Sequence, residues 1–370
     1  MRAIITGVSG TKRSRVLREV QRLARARGES FEIFDVREAM FDIAEGVGQP
    51  VEEETVLDMF PPSLVMLRAA ALEKLAGVVE QAGRSSSWAM ITHAVFRWKN
   101  TLISGFDPYY LGRLKPDFYV TVTEGVRTVK RRLNDQPRWE EMSHEDLLVW
   151  REEEQFATEE LARMQRKPQY LLGEQADAET MYRLFFEPKM RKAYLSYPMT
   201  HGEPNGDRGL QGFKKRLEEN LIIFDPADVN DFDVDDSTGS LVEPRDRTDG
   251  SAALASGSAN GFSDREAQHI SDQIVFRDYK LIAQSDMIVV FYDIAVPSPG
   301  VVSEMNYALH TGKRVYGVWL PEADPSPFFS RYCSRVFRST DELFQYFTRY
   351  RITPGPRTGK AALQDPVAAS

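Results

Sequence analysis

Phe276 to Val315 runs FRDYKLIAQSDMIVVFYDIAVPSPGVVSEMNYALHTGKRV. The apolar run Met287–Tyr292 is short, rich in β-branched residues and bounded by polar ones, which predicts a buried parallel strand. A helix carrying Asp278 leads into it, from Asp264 to about Gln284. Pro297-Ser298-Pro299-Gly300 makes a tight turn after it, and a new helix starts at about Val301 with Val301, Met305 and Ala308 on one apolar face. Gly312 stops that helix, and Arg314–Leu320 gives the next strand. Strands alternating with helices predict a parallel, doubly wound sheet that holds its ligand at the carboxyl ends of the strands.

Turn N–H groups and a helix N-terminus form an anion site, and Ser298 and Gly300 sit where a phosphate would be held. Glu304 lies early in the new helix, where the helix dipole favours a charged carboxylate. Asp278 offers a second carboxylate from the preceding helix. Two carboxylates in different environments can break a glycosidic bond, one as nucleophile and one as acid or base. Acidic residues in early helical turns and Ser-Pro-Gly turns are also common structural features, so spacing alone does not decide the chemistry.

Read together, Arg277-Asp278, the strand led by Asp286 and Pro297-Ser298-Pro299-Gly300-Val301-Val302-Ser303-Glu304 resemble the nucleoside 2-deoxyribosyltransferase superfamily. The closest likeness within it is to the 2'-deoxynucleoside 5'-monophosphate N-glycosidases. The resemblance covers roughly Arg191 to Phe347. It implies that Glu304 attacks C1' of the sugar, that Asp278 assists the leaving base, and that Ser298 and Gly300 hold the 5'-phosphate. Tyr194-Leu-Ser196-Tyr197-Pro198 fills the place of the family's first loop and matches it only in part, making Tyr194 a catalytic candidate and Ser196 a substrate-binding one. The resemblance also implies a homodimer in which a neighbouring subunit completes each site, with Ser330 a candidate for that contribution, and it implies no cofactor for the glycosidase chemistry.

The first half begins with a short strand, Ala3–Thr6, then Gly7-Val8-Ser9-Gly10-Thr11-Lys12-Arg13-Ser14 and a basic helix to about Arg27. Strand, glycine loop and helix are the context of a phosphate-binding loop. Here Lys12 stands at a glycine position and Arg13 at the lysine position. Roughly Met1 to Leu172 resembles the archaeal-type adenylate kinases. The resemblance rests on this loop, Trp88–Ala94, Leu114–Val122 and the arginine-bearing lid Thr128–Arg138. It implies nucleotide binding by Gly7, Gly10, Arg13, Ser14, Arg131, Arg132 and Arg138, with ATP or another nucleotide as ligand. Ile91 replaces the carboxylate that would position Mg²⁺, and Leu57 stands where a monophosphate-gripping arginine is expected, so phosphoryl transfer is poorly served.

The expected fold is therefore α/β in two domains: a P-loop nucleoside-monophosphate-kinase-like domain over 1–172, then a flavodoxin/Rossmann-like doubly wound domain over 192–350. A connector spans 173–191. A Gly/Ser/Asp-rich insertion, 227–264, is expected to be mobile, and 351–370 to be a disordered tail. The Asp231-x-Asp233-x-Asp235 run lacks the glycine and closing glutamate of a calcium loop. The 370 residues carry a net charge of −8, which argues against a nucleic-acid binder. One cysteine, Cys333, excludes an internal disulfide and fits a reducing compartment, and five scattered histidines argue against a metal site. No signal peptide or membrane span is read, so the expected partner is a small nucleotide or nucleoside in the cytoplasm. Two other functions stay open: an active nucleoside-monophosphate kinase, or a non-catalytic nucleotide sensor.

Overall fold

The computed structural model describes residues 1–83, 86–99, 101–176, 178–199, 209–229, 231 and 262–353. The chain divides into two compact units. The first contains Met1–Pro188 and Phe224–Gln284; the second contains Lys189–Ile223 and the chain from Ser285 onward.

In the first unit β1 (Arg2–Thr6), α1 (Arg13–Ala26), β2 (Phe31–Asp35), α2 (Val36–Gly46) and α3 (Pro61–Ala82) come first. β3 (Ser87–Ile91), a hairpin of β4 (Val95–Trp98) and β5 (Thr101–Ser104), and α4 (Pro108–Leu114) follow. β6 (Phe118–Thr123), α5 (Val126–Leu133), α6 (His144–Met164), β7 (Gln169–Gly173) and α7 (Ala178–Phe186) complete the run. The sheet is parallel in the order β2-β3-β1-β6-β7. Its central strands are buried on both faces, which is why they read as unbroken apolar runs. Gln169–Gly173, at the end of the expected first domain and the start of the expected connector, is the edge strand β7, paired with β6. The β4–β5 hairpin is antiparallel and was not expected from the sequence.

The second unit holds β8 (Lys192–Ser196) and α8 (Leu210–Glu218), and β9 (Ile222–Phe224) runs to the boundary between the units. The next helix, α9 (Asp264–Ala283), packs with the first unit. The second unit resumes with β10 (Met287–Tyr292), α10 (Pro299–His310), β11 (Arg314–Trp319), α11 (Pro327–Tyr332), β12 (Arg335–Phe337) and α12 (Thr340–Arg349). Its sheet order is β12-β11-β10-β8-β9, with β10 parallel to both β8 and β11. Met287, Val289 and Phe291 point from β10 into a core shared with Phe213, Tyr316 and Phe347. Gly312 takes φ +75°, the left-handed conformation that ends α10 as its sequence position predicts.

The placement of α9 differs from the expected division at 192. The reason is packing: Phe262 and Ile270 belong to the first unit's core. Gln273 donates to Leu148 O at 2.9 Å, and Gln284 exchanges two hydrogen bonds with the Leu171 backbone. Most of the expected mobile insertion and of the expected tail lies outside the described residues, as do Asp233 and Asp235. No helix among the described residues is long and apolar enough to cross a membrane.

Candidate functional site

Side chains two apart on a strand share a face, so Tyr194 and Ser196 of β8 point the same way. Both meet Glu304 of α10. Tyr194 Oη donates to Glu304 Oε1 at 3.0 Å and Ser196 Oγ donates to Oε2 at 2.5 Å. Each carboxylate oxygen thus receives one hydroxyl, which fixes the plane of the group. Tyr194 and Ser196 are fully buried and Glu304 is half-buried, so the carboxylate sits at the surface end of a rigid, buried pair.

The turn before α10 is built as the sequence suggests, but Ser298 has a structural task there. It is buried and caps the helix, its Oγ accepting from Val301 N at 3.5 Å. Its own N–H donates to Tyr292 Oη at 2.7 Å, and that hydroxyl donates to Val296 O at 2.8 Å. Tyr292 stacks on Trp319 (4.7 Å between centroids), and Phe329 packs edge-on against both rings. The turn is therefore held from β10, β11 and α11. Gly300 lies in the first turn, where a Cβ would meet nothing within 4 Å, leaving space beside the helix N-terminus. Ser330 is exposed on α11. Ser298→Ala is expected to destabilise the protein by about 0.5–2 kcal/mol through loss of the cap, measured by urea unfolding.

No protein-family model matches this chain.

Asp278 lies on α9 in the first unit, so the second unit by itself holds one of the two expected carboxylates. Burial pushes the Asp278 carboxyl up to about 6, against the opposing pull of Arg277, whose Nε lies 3.3 Å away; Asp231 and Asp225 add to the rise. Asp231 is itself buried between Arg277 (2.9 Å) and Arg151 (2.5 Å). A carboxyl whose folded-state pKa is raised favours the fold below its unfolded value near 4 and loses that contribution as pH rises through about 6. Asp278→Asn is therefore expected to raise stability at pH 7–8 by about 1–3 kcal/mol, with the gain vanishing below about pH 4. Thermal unfolding across that pH range checks it.

The first unit carries its own cluster around the glycine loop. Gly7 takes φ +148°, and a Cβ there would come 2.6 Å from Val122 O, so glycine is required. Its N–H donates to Glu154 Oε1 at 2.9 Å. The same oxygen accepts from Ala94 N at 2.9 Å, and Glu154 Oε2 accepts from Val95 N at 2.7 Å. Lys12 N–H donates to Glu124 Oε1 at 2.6 Å. Glu154 and Glu124 are both fully buried, and burial pushes each up to about 7, with the neighbouring Glu174 adding to the rise at Glu124.

Arg13, expected to read phosphate, turns instead to Thr92 O (2.6 Å) and His93 Nε2 (2.9 Å). Arginine can only donate, so His93 Nε2 accepts and Nδ1 carries the proton, 3.6 Å from Glu154. Burial, then Arg13 and three further arginines, hold His93 well below the usual imidazole range. Arg132 is bonded to Gly10 O, Glu124 and Glu174, and Arg131 is exposed.

A cavity of about 210 Å³ opens beside the loop. Of the expected nucleotide-binding residues, Gly10, Arg13, Ser14 and Arg138 line it; Gly7, Arg131 and Arg132 do not. Arg37, Arg68 and His93 also line it, and of these Arg68 was not singled out in the sequence. Arg68 is the clearest omission, because an arginine at a core position of α3 is buried for a reason. Its guanidinium donates to Ser104 O, and burial lowers it to about 10.

Proposed function

We propose that the second unit is an N-glycosidase or 2-deoxyribosyltransferase acting on a nucleoside or nucleotide, with Glu304 as its nucleophile. The observation that carries this reading is the Tyr194–Glu304–Ser196 cluster. One carboxylate, oriented through both oxygens by buried hydroxyls, stands on a helix whose N-terminus faces open space at Gly300. A Glu304 oxygen would attack C1', the C1'–N bond would break, and the electron pair would leave with the base, which takes up a proton. The resulting glycosyl ester would be resolved by water, giving hydrolysis, or by a second base, giving transfer. Tyr194 and Ser196 keep the carboxylate aimed through both steps. Donors at the start of α10 suit a 5'-phosphate, and the resemblance adds a homodimer with Ser330 near a neighbour's site.

The finer fold reading supports the same picture. The order β2-β3-β1-β6-β7, with a glycine loop after β1, fits a P-loop nucleoside-monophosphate-kinase-like unit. The second sheet fits a flavodoxin/Rossmann-like one. A sensor role for the first unit is favoured over a kinase role by one observation: Glu154 and Glu124 take loop donors that a transferred phosphate would need. The test is incubation of the purified protein with nucleosides, monophosphates and dinucleotides, followed by analysis for free base. Base release supports the glycosidase; none across the whole panel overturns it and leaves the sensor.

A further inference from the structure

We infer that Asp231 is a positioning residue for Asp278: it draws Arg277 onto itself, keeps that guanidinium from pairing closely with Asp278, and so leaves Asp278 able to hold a proton. On the glycosidase reading above, that proton is the one the departing base takes up. Asp231, Arg151, Arg277 and Asp278 all belong to the first unit.

The run that begins at Asp231 fails as a calcium loop, yet the Asp231 side chain is only 1% exposed. A carboxylate at that depth lacks water to solvate it and needs charged partners. It has two. Arg277 Nη1 lies 2.9 Å from Asp231 Oδ2, and Arg151 Nη1 lies 2.5 Å from Oδ1. Arg151 is itself held in place. Its Nη1 also donates to Glu124 O at 3.1 Å and its Nε to Gln273 Oε1 at 3.0 Å, and Gln273 donates in turn to Leu148 O at 2.9 Å. Packing thus fixes Arg151, Arg151 fixes Asp231, and Asp231 fixes Arg277.

Asp278 receives what is left. Arg277 directs Nη1 to Asp231, with Val229 O at 3.5 Å, and reaches Asp278 Oδ1 through Nε at 3.3 Å, a long bond for a charged pair. The charged groups that face Asp278 among the described residues are Arg277 from its own helix and, from the segment after β9, Asp231 and Asp225, with Arg151 of α6 behind Asp231. Asp225 is buried too and accepts from Ala227 N at 2.9 Å. Three carboxyls therefore stand with two guanidinium groups. The cluster is neutral when one carboxyl holds a proton, and Asp278 is the one whose arginine is already engaged elsewhere. The direction of its shift agrees, since burial, with the two carboxylates adding, pushes Asp278 up to about 6 against the pull of Arg277. An acid in that range can give and regain a proton near neutral pH.

The experiment follows the titration of the Asp278 carboxyl in the full chain by carbon NMR with labelled aspartate, its signal being the one missing from Asp278→Asn. Asp231→Asn keeps the size of the side chain and one acceptor, but it releases Arg277 to Asp278 and removes a like charge. The midpoint is expected to fall by about one pH unit or more. Arg151→Gln leaves Asp231 to lean on Arg277 and should move the midpoint up; where that variant does not fold, Arg277→Gln replaces it, again with a rise expected. A merely loosened fold would let water reach Asp278 and lower every midpoint, so the opposite signs separate the two explanations. An unchanged or raised midpoint in Asp231→Asn, or a fall in the arginine variant, would overturn the role of Asp231. This titration uses no substrate and stands whether or not the glycosidase reading does. With any substrate the wild type cleaves, the high-pH limb of kcat/KM should move to lower pH in Asp231→Asn by the same amount as the carboxyl. A limb that stays in place while the carboxyl moves would overturn Asp278 as the source of the base's proton.

Discussion

Glu304→Gln is expected to reduce base release by roughly 10³-fold or more while leaving substrate affinity within a few-fold of the parent. Glutamine keeps the volume of the side chain and one carbonyl oxygen for Tyr194 or Ser196. It loses the anionic oxygen that attacks C1'. The amide must also place its NH₂ against one of the two hydroxyls, which can rotate to accept. The fold should therefore survive, and circular dichroism with thermal unfolding provides the control. Tyr194→Phe removes one positioning donor and leaves the nucleophile in place, so a smaller loss is expected, of roughly 10-fold to 10²-fold and falling mainly on kcat. Steady-state rates with whichever substrate the wild type cleaves would check both. Wild-type turnover in Glu304→Gln would remove this carboxylate from the chemistry.

The second large effect concerns stability. Glu154→Ala is expected to destabilise the first unit by about 3–5 kcal/mol, because it strands three N–H groups, those of Gly7 and Ala94 buried and that of Val95 partly so, and deprives the buried Arg13 of a nearby counter-charge. Equilibrium unfolding in urea reads this directly, and an unchanged midpoint would show that the carboxylate does not hold the loop. Glu154→Gln should be milder and should show a pH signature. The folded-state pKa is raised to about 7, so the ionisable group's contribution is full below about 4.5 and declines as pH rises through 7. The gap between wild type and Glu154→Gln should accordingly narrow from pH 5 to pH 8.

Much of the second unit could be read from residues close together in the chain. The β-branched run over Met287–Tyr292, the Pro-Ser-Pro-Gly turn and Gly312 are local signals, and the elements they predict are present. The Tyr194–Glu304 bond could be suspected only from a partial pattern, since it joins residues 110 apart. Glu154 was hidden for a different reason. It sits in Arg151-Glu-Glu-Glu-Gln155, which looks like a solvated charged face. A signal was present all the same: Leu147, Trp150, Glu154, Thr158 and Leu161 recur at helical spacing, and all are buried. Arg68 follows the same rule between Leu64 and Leu72 of α3. A charged residue in phase with an apolar stripe is a buried charge awaiting a partner, and composition alone does not reveal it. The membership of α9 was illegible because it depends on which of two cores Ile270 enters, a choice made in three dimensions.

That choice bears on how the protein is made. The chain passes from one unit to the other at residues 188–189, 223–224 and 284–285. Domains usually fold in the order in which they leave the ribosome. Here the earlier unit stays unfinished until Gln284 has been synthesised, after β8, α8 and most of β9 have emerged. A nascent chain stalled near Pro188 would lack the helix that supplies Ile270 and Gln273, leaving apolar surface on α6 for chaperones to shield. The two units are thus interleaved in time as well as in sequence, and neither can be inherited or lost by a single cut in the gene.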